Sequence, residues 1–350
     1  MKVLVIQQKM IGDVLASTVI CEAVKDAFPN SEVHYMVQPA TRPVVDGNPF
    51  VDRIINFHPP IKNRFSNLIS YGKALRKEKY DAVIDAYGRW ESILPTYYSD
   101  APVRIGWQKW YTGIFYTKLV LPANNVSGSA IFHRLQLANA LTEKMITTVF
   151  PKIYLTDDEK IVAGRKIDDL SIQRPIIMIS VMGSSEDKSL PAAQMAANID
   201  LIAASGDAML LFNHIPSQKA DAMQIYEHCK VETKAKICLD LDISGLRNFL
   251  AVLSHCSALI GNEGGAVNMA KALGIPTFTI FSPWINKSSW DMLNDEERHV
   301  AVHLQDFFPK IYGSDHPKKF RKNSLDLYKK LSVDLYADRL KAFVKRAVNQ

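Results

Sequence analysis

Hydrophobic residues follow two periods along this chain, and the two periods alternate. Short apolar runs rich in β-branched residues, each bounded by polar or turn residues, predict strands at KVLVI (2–6), EVHYMV (32–37) and YDAVIDA (80–86). Between the first two runs, apolar positions recur every four residues and describe one helix face: Leu15, Val19, Ala23 and Ala27. The pattern therefore predicts strands separated by amphipathic helices.

The second half of the chain repeats this alternation. Strands are predicted at PIIMISVM (175–182), AMLLF (208–212), KICL (236–239), ALIG (258–261) and TFTIF (277–281). Helices are predicted from about Pro191, from about Ser217, and within ISGLRNFLAVLSHC and AVNMAKALG. Continuous apolar strands separated by helices are typical of a parallel sheet covered on both faces, so the fold class is α/β.

The polar stretch 156–174, which contains the helix-like DDEKIVAGRKIDDL (157–170), divides the two series and is expected to connect two domains. A length of 350 residues with 47% hydrophobic residues is enough for two packed cores. We expect a Rossmann-like domain at 1–165, a second one at 166–323, and one amphipathic C-terminal helix within 324–350.

Composition narrows the class of protein. Charged residues make up 22% and the net charge is +6, a mild basic excess that suits anionic ligands without indicating nucleic acid. The four cysteines are scattered without metal-ligand spacing and are expected to be buried thiols in a reducing compartment. No apolar run reaches the roughly 18 residues that cross a bilayer, and the first strand is too short for a signal peptide. We expect a cytoplasmic protein whose membrane contact, if any, is peripheral.

Ligands of open α/β sheets bind beyond the carboxyl ends of the strands, so the strand-to-helix turns are the candidate sites. The first such turn contains Gly12, which lets a ligand approach the backbone closely, and Asp13. Two interpretations of Asp13 are open: its carboxylate caps the following helix, or it takes a proton from a substrate.

The second turn, VMGSSEDKSLP (181–191), places small residues and a lysine between a strand and a helix. Backbone N–H groups, the Ser184 hydroxyl and the Lys188 ammonium can hold a phosphate there. The alternative is a polar loop with a solvated lysine. The spacing is not that of a Walker loop, so ATP-hydrolase machinery is not indicated.

The third turn, IGNEGGAVN (260–268), is rich in glycine and enters a helix. Gly264 and Gly265 suit a phosphate cradle, and Glu263 suits hydrogen bonds from sugar hydroxyls. The glycines can equally serve only a tight turn. Because neither this run nor the first turn is GxGxxG, a dinucleotide-dependent dehydrogenase is disfavoured. The DLD sequence (240–242) resembles a metal-binding DxD, but capping and solvation are favoured there, and no metal site is predicted.

Together these turns resemble glycosyltransferase family 9, the ADP-heptose:lipopolysaccharide heptosyltransferase family. The resemblance covers about residues 1–285 and is carried by IGDVLAST (11–18), YDAVIDAYG (80–88), EDKSLP (186–191) and NEGGAVNMAKALGIP (262–276). It implies a GT-B fold, in which two Rossmann-like domains face each other across a cleft and the final helix crosses back to the first domain.

The resemblance also implies residue roles. Asp13 would be the general base, with Gly12 keeping the acceptor side open, and Ser184 and Lys188 would bind the donor diphosphate. The remaining donor-binding positions are Glu263, Gly264, Gly265 and Asn268. Three of these depart from the family pattern, which has aspartate, serine or threonine, and histidine at positions 263, 264 and 268 respectively. The donor sugar and its nucleotide therefore stay open.

The implied reaction is an inverting, metal-independent transfer from a nucleoside-diphosphate-sugar, with ADP-heptose as one candidate, to a lipopolysaccharide core or other surface glycan. The partners would be this donor and a glycolipid or oligosaccharide acceptor, and no cofactor is needed beyond the donor substrate. Two alternatives stay open: a nucleotide-sugar epimerase of GT-B-like fold, and a non-catalytic nucleotide-sugar-binding module.

A basic segment with interspersed aromatic residues, 307–323, interrupts the alternation near the end of the chain. One interpretation is contact with anionic lipid at the cytoplasmic face of the inner membrane, or with phosphorylated core sugars. The other is a solvated loop.

Overall fold

The computed structural model of the chain describes residues 1–60, 62–122, 130–146, 149–239, 241, 243–291 and 293–349. The chain forms two compact units, residues 1–154 and 155–350. Each unit is an α/β sandwich built on a six-stranded parallel sheet.

In its described residues, the first unit contains six strands and four α-helices. The strands are β1 (Lys2–Ile6), β2 (Glu32–Val37), β3 (Arg53–Asn56), β4 (Ala82–Asp85), β5 (Val103–Trp107) and β6 (Lys118–Val120). The helices are α1 (Ile11–Ala27), α2 (Arg64–Arg76), α3 (Trp90–Tyr98) and α4 (Ala130–Thr142). The spatial order is β3-β2-β1-β4-β5-β6, and Val3 lies opposite Val33 on one side and Ala82 on the other.

The second unit contains the other six strands. They are β7 (Ile176–Ser180), β8 (Met209–Asn213), β9 (Ile237–Cys238), β10 (Ala258–Asn262), β11 (Thr277–Ile280) and β12 (His299–Val302), in the order β12-β11-β10-β7-β8-β9. Its longer helices are α5 (Asp157–Asp169), α6 (Ala192–Ser205), α7 (Lys219–His228), α9 (Leu246–Leu253), α10 (Gly265–Ala272) and α15 (Ala337–Val348). The shorter ones are α8 (Val231–Lys234), α11 (Lys287–Trp290), α12 (Leu304–Phe307), α13 (Pro309–Tyr312) and α14 (Ser324–Lys330).

Both sheets have the same doubly wound strand order. In each, the chain starts at a central strand, winds to one edge and then returns to the other side of the starting strand. The winding direction therefore reverses between β1 and β4 in the first unit and between β7 and β10 in the second. These are the topological switch points, at whose carboxyl ends open α/β sheets bind ligands.

The central strands match their predicted positions because they are buried on both faces. Residues 3–6 of β1 and every residue of β7 are buried, so the strands show as unbroken apolar runs. The strands that the pattern did not predict are short or lie near the sheet edges. β3 and β6 are edge strands with mostly half-buried or exposed residues, β5 contains Arg104 and Gly106, and β12 has only four residues.

The helix-like part of the predicted connection is α5, which belongs to the second unit, and the boundary between the units lies at residue 154 and not at residue 165. Thr156 caps α5 and receives the reciprocal hydrogen bond of Glu159, which gives this polar segment a stable start. Glu159 also pairs with Arg247 on α9, at 2.6 Å between Oε2 and Nη2. This ion pair lowers the pKa of Glu159 to about 2.

The C-terminal segment differs from the single helix predicted for it. Two helices, α14 and α15, are separated by Leu331, which is buried in the core, and by Ser332, whose hydroxyl accepts a hydrogen bond from the Asp334 N–H group. The apolar face of α15 packs on α6, with Leu340 and Phe343 in the core of the second unit. These packing partners make the segment part of the second unit.

The basic segment 307–323 turns most of its aromatic residues inward. Tyr312 is buried and donates a hydrogen bond to the Pro283 carbonyl oxygen at 2.8 Å. Phe307 and Phe320 pack against the same core, which leaves Phe308 as the exposed aromatic residue of the segment.

Two further expectations concern cysteines and membrane spans. All four cysteines are free, three of them buried and Cys238 half-buried. Within the described ranges, none of the helices has both the length and the apolar character that a bilayer span requires.

Candidate functional site

The first turn places Asp13 inside a helix and not at its cap. Helix α1 begins at Ile11, so Gly12 and Asp13 occupy its first turn, and Met10 at the N-cap provides no side-chain hydrogen bond. A carboxylate in the first helical turn is stabilised by the helix dipole. The N-cap interpretation of Asp13 is therefore wrong in its detail, although the charge still favours the helix start.

The Asp13 carboxylate is held by an arginine from another helix. Arg134 on α4 donates from Nη2 to Asp13 Oδ1 at 2.5 Å. The guanidinium is itself fixed, since Nη1 donates to the Ala130 carbonyl oxygen at 3.1 Å and Nε to Ser17 Oγ at 3.4 Å. The Asp13 side chain is 30% exposed. Because the contact occupies Oδ1 and the side chain is partly exposed, the Asp13 carboxylate has a defined orientation and is accessible to a ligand.

A second carboxylate lies at the same switch point. Asp85 ends β4 directly opposite Ile6 of β1 and is fully buried. It accepts hydrogen bonds from the Gly88 N–H group at 2.8 Å, the Tyr87 N–H group at 3.0 Å and the Tyr116 hydroxyl at 2.6 Å. Burial raises the pKa of Asp85, and these hydrogen bonds oppose the increase. Because its partners hold the β4 turn, Asp85 has a structural role and Asp13 is the accessible carboxylate.

In the second unit, the loop after β7 folds back tightly on itself. A Cβ atom at Gly183 would lie 2.2 Å from the Lys188 carbonyl oxygen, so the loop closes only with glycine there. The Gly183 N–H group donates to Ser189 Oγ at 2.9 Å, which closes the loop from the other side. Ser184 is exposed at the tip and Lys188 is half-buried.

The loop after β10 also depends on glycine. Gly261 has φ +137°, and a Cβ atom there would lie 2.4 Å from the Ser180 carbonyl oxygen of β7. Gly264 occupies the N-cap of α10 and has no side chain to accept hydrogen bonds. The first N–H groups of α10, from Gly265 onward, have no acceptor within the helix and suit an anion. Asn268 lies half-buried on the same helix.

Asn262 ties these two loops together. Its side chain is fully buried, and Nδ2 donates to the Val181 carbonyl oxygen at 2.9 Å and to the Ser180 carbonyl oxygen at 3.2 Å. Its Oδ1 accepts from the Leu190 N–H group at 2.9 Å. One side chain at the end of β10 therefore fixes both ends of the loop that carries Ser184 and Lys188.

Lys188 and Glu263 meet at the switch point of the second sheet. Lys188 Nζ lies 3.4 Å from Glu263 Oε1, and the Glu263 side chain is 9% exposed. Burial raises the pKa of Glu263, and the Lys188 ammonium opposes the increase. Apart from this ion pair, Oε1 has no hydrogen-bond donor among the described residues. The carboxylate is therefore a buried acceptor beside a cation, which suits a hydroxyl group close to a phosphate.

The loop segment beside Lys188 is held by the chain after β11 and by the C-terminal segment. The Asp187 carbonyl oxygen accepts hydrogen bonds from Ser282 Oγ at 2.8 Å, Trp284 Nε1 at 2.8 Å and Ser324 Oγ at 2.7 Å. Arg321 Nε pairs with the Asp187 carboxylate at 2.6 Å. Burial opposes ionisation of Asp187, but the hydrogen bonds from Ser185 and Arg321 outweigh it and lower its pKa.

Two cations flank the Trp284 ring. Lys188 Nζ lies 5.3 Å from the ring centroid, and the Arg321 guanidinium carbon lies 4.7 Å from it. Cation–π contacts of this kind restrain both side chains. The Lys188 ammonium is therefore held in a defined position at the loop after β7.

Of the predicted site residues, the structure brings Lys188 and Glu263 into contact and places Gly264, Gly265 and Asn268 at the adjoining helix start. Four further residues at these turns were not predicted from the sequence as site residues: Arg134, Asn262, Trp284 and Arg321. Asn262 had a signal, because it is the polar residue between Gly261 and Glu263 at a strand end. Arg134 had none, because it lies 121 positions from Asp13. Asp240 and Asp242 of the DLD sequence lie outside the described residues.

A model of a known protein family matches the larger part of the chain. The model for glycosyltransferase family 9 (heptosyltransferase) matches residues 68–310, which is more than half of the chain. The match includes the β7 and β10 turns and begins after the β1–α1 turn that carries Asp13.

Individual relatives and solved structures are similar to the chain over most of its length. The chain is 24% identical over 300 residues to lipopolysaccharide heptosyltransferase 1 of Campylobacter coli, covering 80% of this chain and 84% of that protein. It is similar to E. coli ADP-heptose LPS heptosyltransferase II with a TM-score of 0.77, 18% identity and 99% coverage of both chains. For E. coli heptosyltransferase WaaC with ADP, the TM-score is 0.63 at 16% identity, covering 97% of this chain and 99% of that one. The fold is therefore the GT-B-like fold of the heptosyltransferases.

Proposed function

The chain belongs to glycosyltransferase family 9, and we propose that it is an inverting, metal-independent enzyme that transfers a sugar from a nucleoside-diphosphate-sugar to a surface-glycan acceptor. The acceptor class is a lipopolysaccharide core or a related glycolipid or oligosaccharide. ADP-heptose is the first donor to test, because the matched relatives are named heptosyltransferases and one was solved with ADP.

The observation that carries the proposal is the contact between Lys188 and Glu263 at the switch point of the second sheet. A nucleoside-diphosphate-sugar carries two chemical groups side by side, an anionic diphosphate and a sugar rich in hydroxyls. Lys188, the Ser184 hydroxyl and the first N–H groups of α10 suit the diphosphate. The buried Glu263 oxygen suits a sugar hydroxyl as donor.

The first unit supplies the base. Asp13 accepts the proton of the acceptor hydroxyl while the acceptor oxygen forms a bond to the anomeric carbon. The bond between that carbon and the diphosphate oxygen breaks, and the electron pair leaves with the nucleoside diphosphate. A single displacement of this kind inverts the anomeric configuration.

Charge on the leaving group is balanced by the protein in this scheme. Lys188 is preorganised by its contacts with Glu263 and Trp284, so it needs little rearrangement as negative charge grows on the diphosphate. Helix α10 contributes N–H dipoles to the same region. We propose on this basis that no metal ion is required.

We also propose a cytoplasmic location, since four free thiols fit a reducing compartment. Contact with the inner membrane would then be peripheral and would bring the enzyme to a lipid-linked acceptor.

Donor choice is tested by a thermal-shift screen with ADP-, GDP-, UDP- and CMP-sugars. A ligand present at about 100 times its dissociation constant should stabilise the protein by about 2.7 kcal/mol. The stabilising donor is then incubated with core oligosaccharide acceptors, and the transferred sugar is detected by mass spectrometry. Stabilisation without transfer to any acceptor would favour a non-catalytic binding module, and the absence of any shift would contradict the donor site.

A further inference from the structure

The first unit carries six aromatic residues linked by ring contacts; four of the rings are exposed, whereas Tyr111 and Phe115 are half-buried. We call this set the aromatic patch: Phe65, Trp90, Tyr97, Trp110, Tyr111 and Phe115. Trp90 lies at its centre, with ring centroids 6.3 Å from Phe65, 5.5 Å from Tyr111 and 5.7 Å from Phe115. Tyr97 joins Phe115 at 5.5 Å, and Trp110 joins Tyr111 at 5.2 Å.

The aromatic patch is exposed to an extent that a folded core does not explain. Trp110 is 96% exposed, Phe65 58% and Tyr97 40%, and the neighbouring Ile114 is 78% exposed. Soluble proteins rarely leave a contiguous apolar surface of this kind open unless it binds something. The proposed transfer reaction uses none of these residues.

Three residues of the aromatic patch, including the central Trp90, follow the carboxyl ends of strands of the first sheet. Phe65 lies in the first turn of α2 after β3, Trp90 starts α3 after β4, and Trp110 follows the end of β5. The strands are parallel, so their carboxyl ends share one edge, and Asp13 follows β1 at that same edge. A ligand surface that contacts the patch would therefore approach the side of this unit that carries the proposed base.

Cations surround the rings. Lys109 Nζ lies 5.9 Å from the Tyr111 ring centroid, and the Arg104 guanidinium carbon lies 5.7 Å from that of Tyr97. Two further cations are exposed: Lys62, which is close to Arg64 in the sequence, and Arg89, which precedes Trp90. Glu91, an acidic neighbour of Trp90, is paired with Arg64 and adds little free negative charge.

Aromatic tips between basic side chains match the interface of an anionic bilayer. Trp and Tyr rings favour the headgroup level, where one end of the ring is apolar and the other wet. Each Lys or Arg near the surface adds attraction to anionic headgroups. A peptide groove would instead need a concave apolar channel, whereas here the most exposed ring, Trp110, projects almost fully from the surface.

We propose that the aromatic patch docks the first unit on the surface of an anionic lipid bilayer. The inference rests on the proposed function only in giving the acceptor a lipid anchor. It assigns membrane contact to the first unit and not to the basic segment 307–323, whose Tyr312 is buried in the core of the second unit and whose Phe307 and Phe320 pack against that core.

Vesicle sedimentation of the full chain tests the proposal. Wild-type protein should sediment with phosphatidylglycerol/phosphatidylcholine vesicles and much less with pure phosphatidylcholine. The double variant Trp110→Ser/Ile114→Ser should lose about tenfold or more of the anionic-vesicle affinity, because two inserted apolar side chains are removed. Both residues are exposed, so the melting temperature should stay within a degree or two of wild type.

Matched controls separate this surface from general stickiness and from the other basic segment. Met145→Ser/Val231→Ser removes two apolar residues that are 88% and 83% exposed outside the aromatic patch, and it should bind vesicles like wild type. Lys318→Gln/Lys322→Gln should also bind like wild type.

Several outcomes would overturn the proposal: no sedimentation of wild type with anionic vesicles, unchanged binding of the patch variant, or loss of binding only in the lysine variant. Sedimentation velocity tests a further outcome that would overturn the proposal. If the wild type is a dimer and the patch variant is a monomer, the aromatic patch binds a second copy of the chain and not a bilayer. Transfer to a water-soluble acceptor without vesicles should not differ between wild type and patch variant. If neither protein transfers sugar to this acceptor while the wild type still binds vesicles, the result contradicts the proposed function and leaves the membrane-docking proposal standing.

Discussion

Arg134 Nη2 lies 2.5 Å from Asp13 Oδ1, although the two residues are 121 positions apart. The pair forms where α4 packs on α1, and it sets the direction of an accessible carboxylate at the carboxyl edge of the first sheet. Orientation of the base by a partner from another element is a common feature of acid–base sites. The first two predictions concern this pair.

Asp13→Asn should lower kcat by about 10²–10⁴-fold, because the amide cannot take the acceptor proton. Donor affinity, measured by thermal shift, should be unchanged because the donor contacts belong to the second unit. Asp26→Asn changes an exposed aspartate on the same helix and serves as the matched control. Transfer by Asp13→Asn at the wild-type rate would show that another group is the base.

Arg134→Gln should lower kcat by roughly tenfold while leaving the KM for the donor unchanged, since a misoriented base weakens the chemical step alone. Arg134→Lys keeps a positive charge near Asp13 and should recover part of the loss. Steady-state kinetics, with the donor and the acceptor varied in turn, measure kcat separately from the KM for each substrate. Equal losses in both variants, together with a lower melting temperature, would mean that Arg134 only stabilises the α1–α4 contact.

Lys188→Ala should lower kcat by about 10²–10³-fold and weaken donor binding, because one preorganised cation at the leaving group is lost. Binding of the free nucleoside diphosphate should weaken in parallel. Lys345→Ala, an exposed lysine on α15, is the control. If the variant binds the nucleoside diphosphate as tightly as wild type, the diphosphate lies elsewhere.

Asn262→Ala should destabilise the second unit by about 2 kcal/mol or more, since a buried N–H group and two carbonyl groups lose their partner. The freed loop should also raise the KM for the donor by roughly 10- to 100-fold. Asn262→Asp still accepts from the Leu190 N–H group but turns a carboxylate oxygen towards the Val181 and Ser180 carbonyl oxygens, so it should disorder the loop, measured by amide exchange, at least as much as alanine does. A normal donor KM in Asn262→Ala would show that the loop holds its shape without this residue.

A pH dependence of stability follows from His303. Burial lowers its pKa to about 4 from an ordinary 6.5. Below 6.5 the unfolded chain binds a proton that the folded chain does not, so stability should fall as the pH drops from 6.5 towards 4.

His303→Asn should reduce this fall by an amount on the order of 3 kcal/mol. Asparagine keeps an oxygen that can accept from the Gln305 N–H group, as His303 Nδ1 does at 3.0 Å. His299, whose pKa is also about 4, leaves a residual slope in the same direction. Urea titrations across this pH range measure the difference, and parallel curves for the two proteins would contradict the prediction.

Local pattern was enough for the central elements and for most of the donor loop. Strands buried on both faces are mostly apolar, so β1, β2, β7 and β10 were predicted from sequence close to their observed bounds. The turns after β1, β7 and β10 were predicted because turns need glycine and polar residues whatever surrounds them.

Only the tertiary structure decided the features that depend on distant partners. The edge strands β3 and β6 have weak apolar patterns, and Leu331, at the break between α14 and α15, is buried in the second core. The same holds for the Arg134–Asp13 pair, the three hydrogen bonds of Asn262 and the contacts among the six rings of the aromatic patch. Sequence records which groups a chain carries, whereas burial, partners and orientation depend on which distant segments folding brings within a few ångströms.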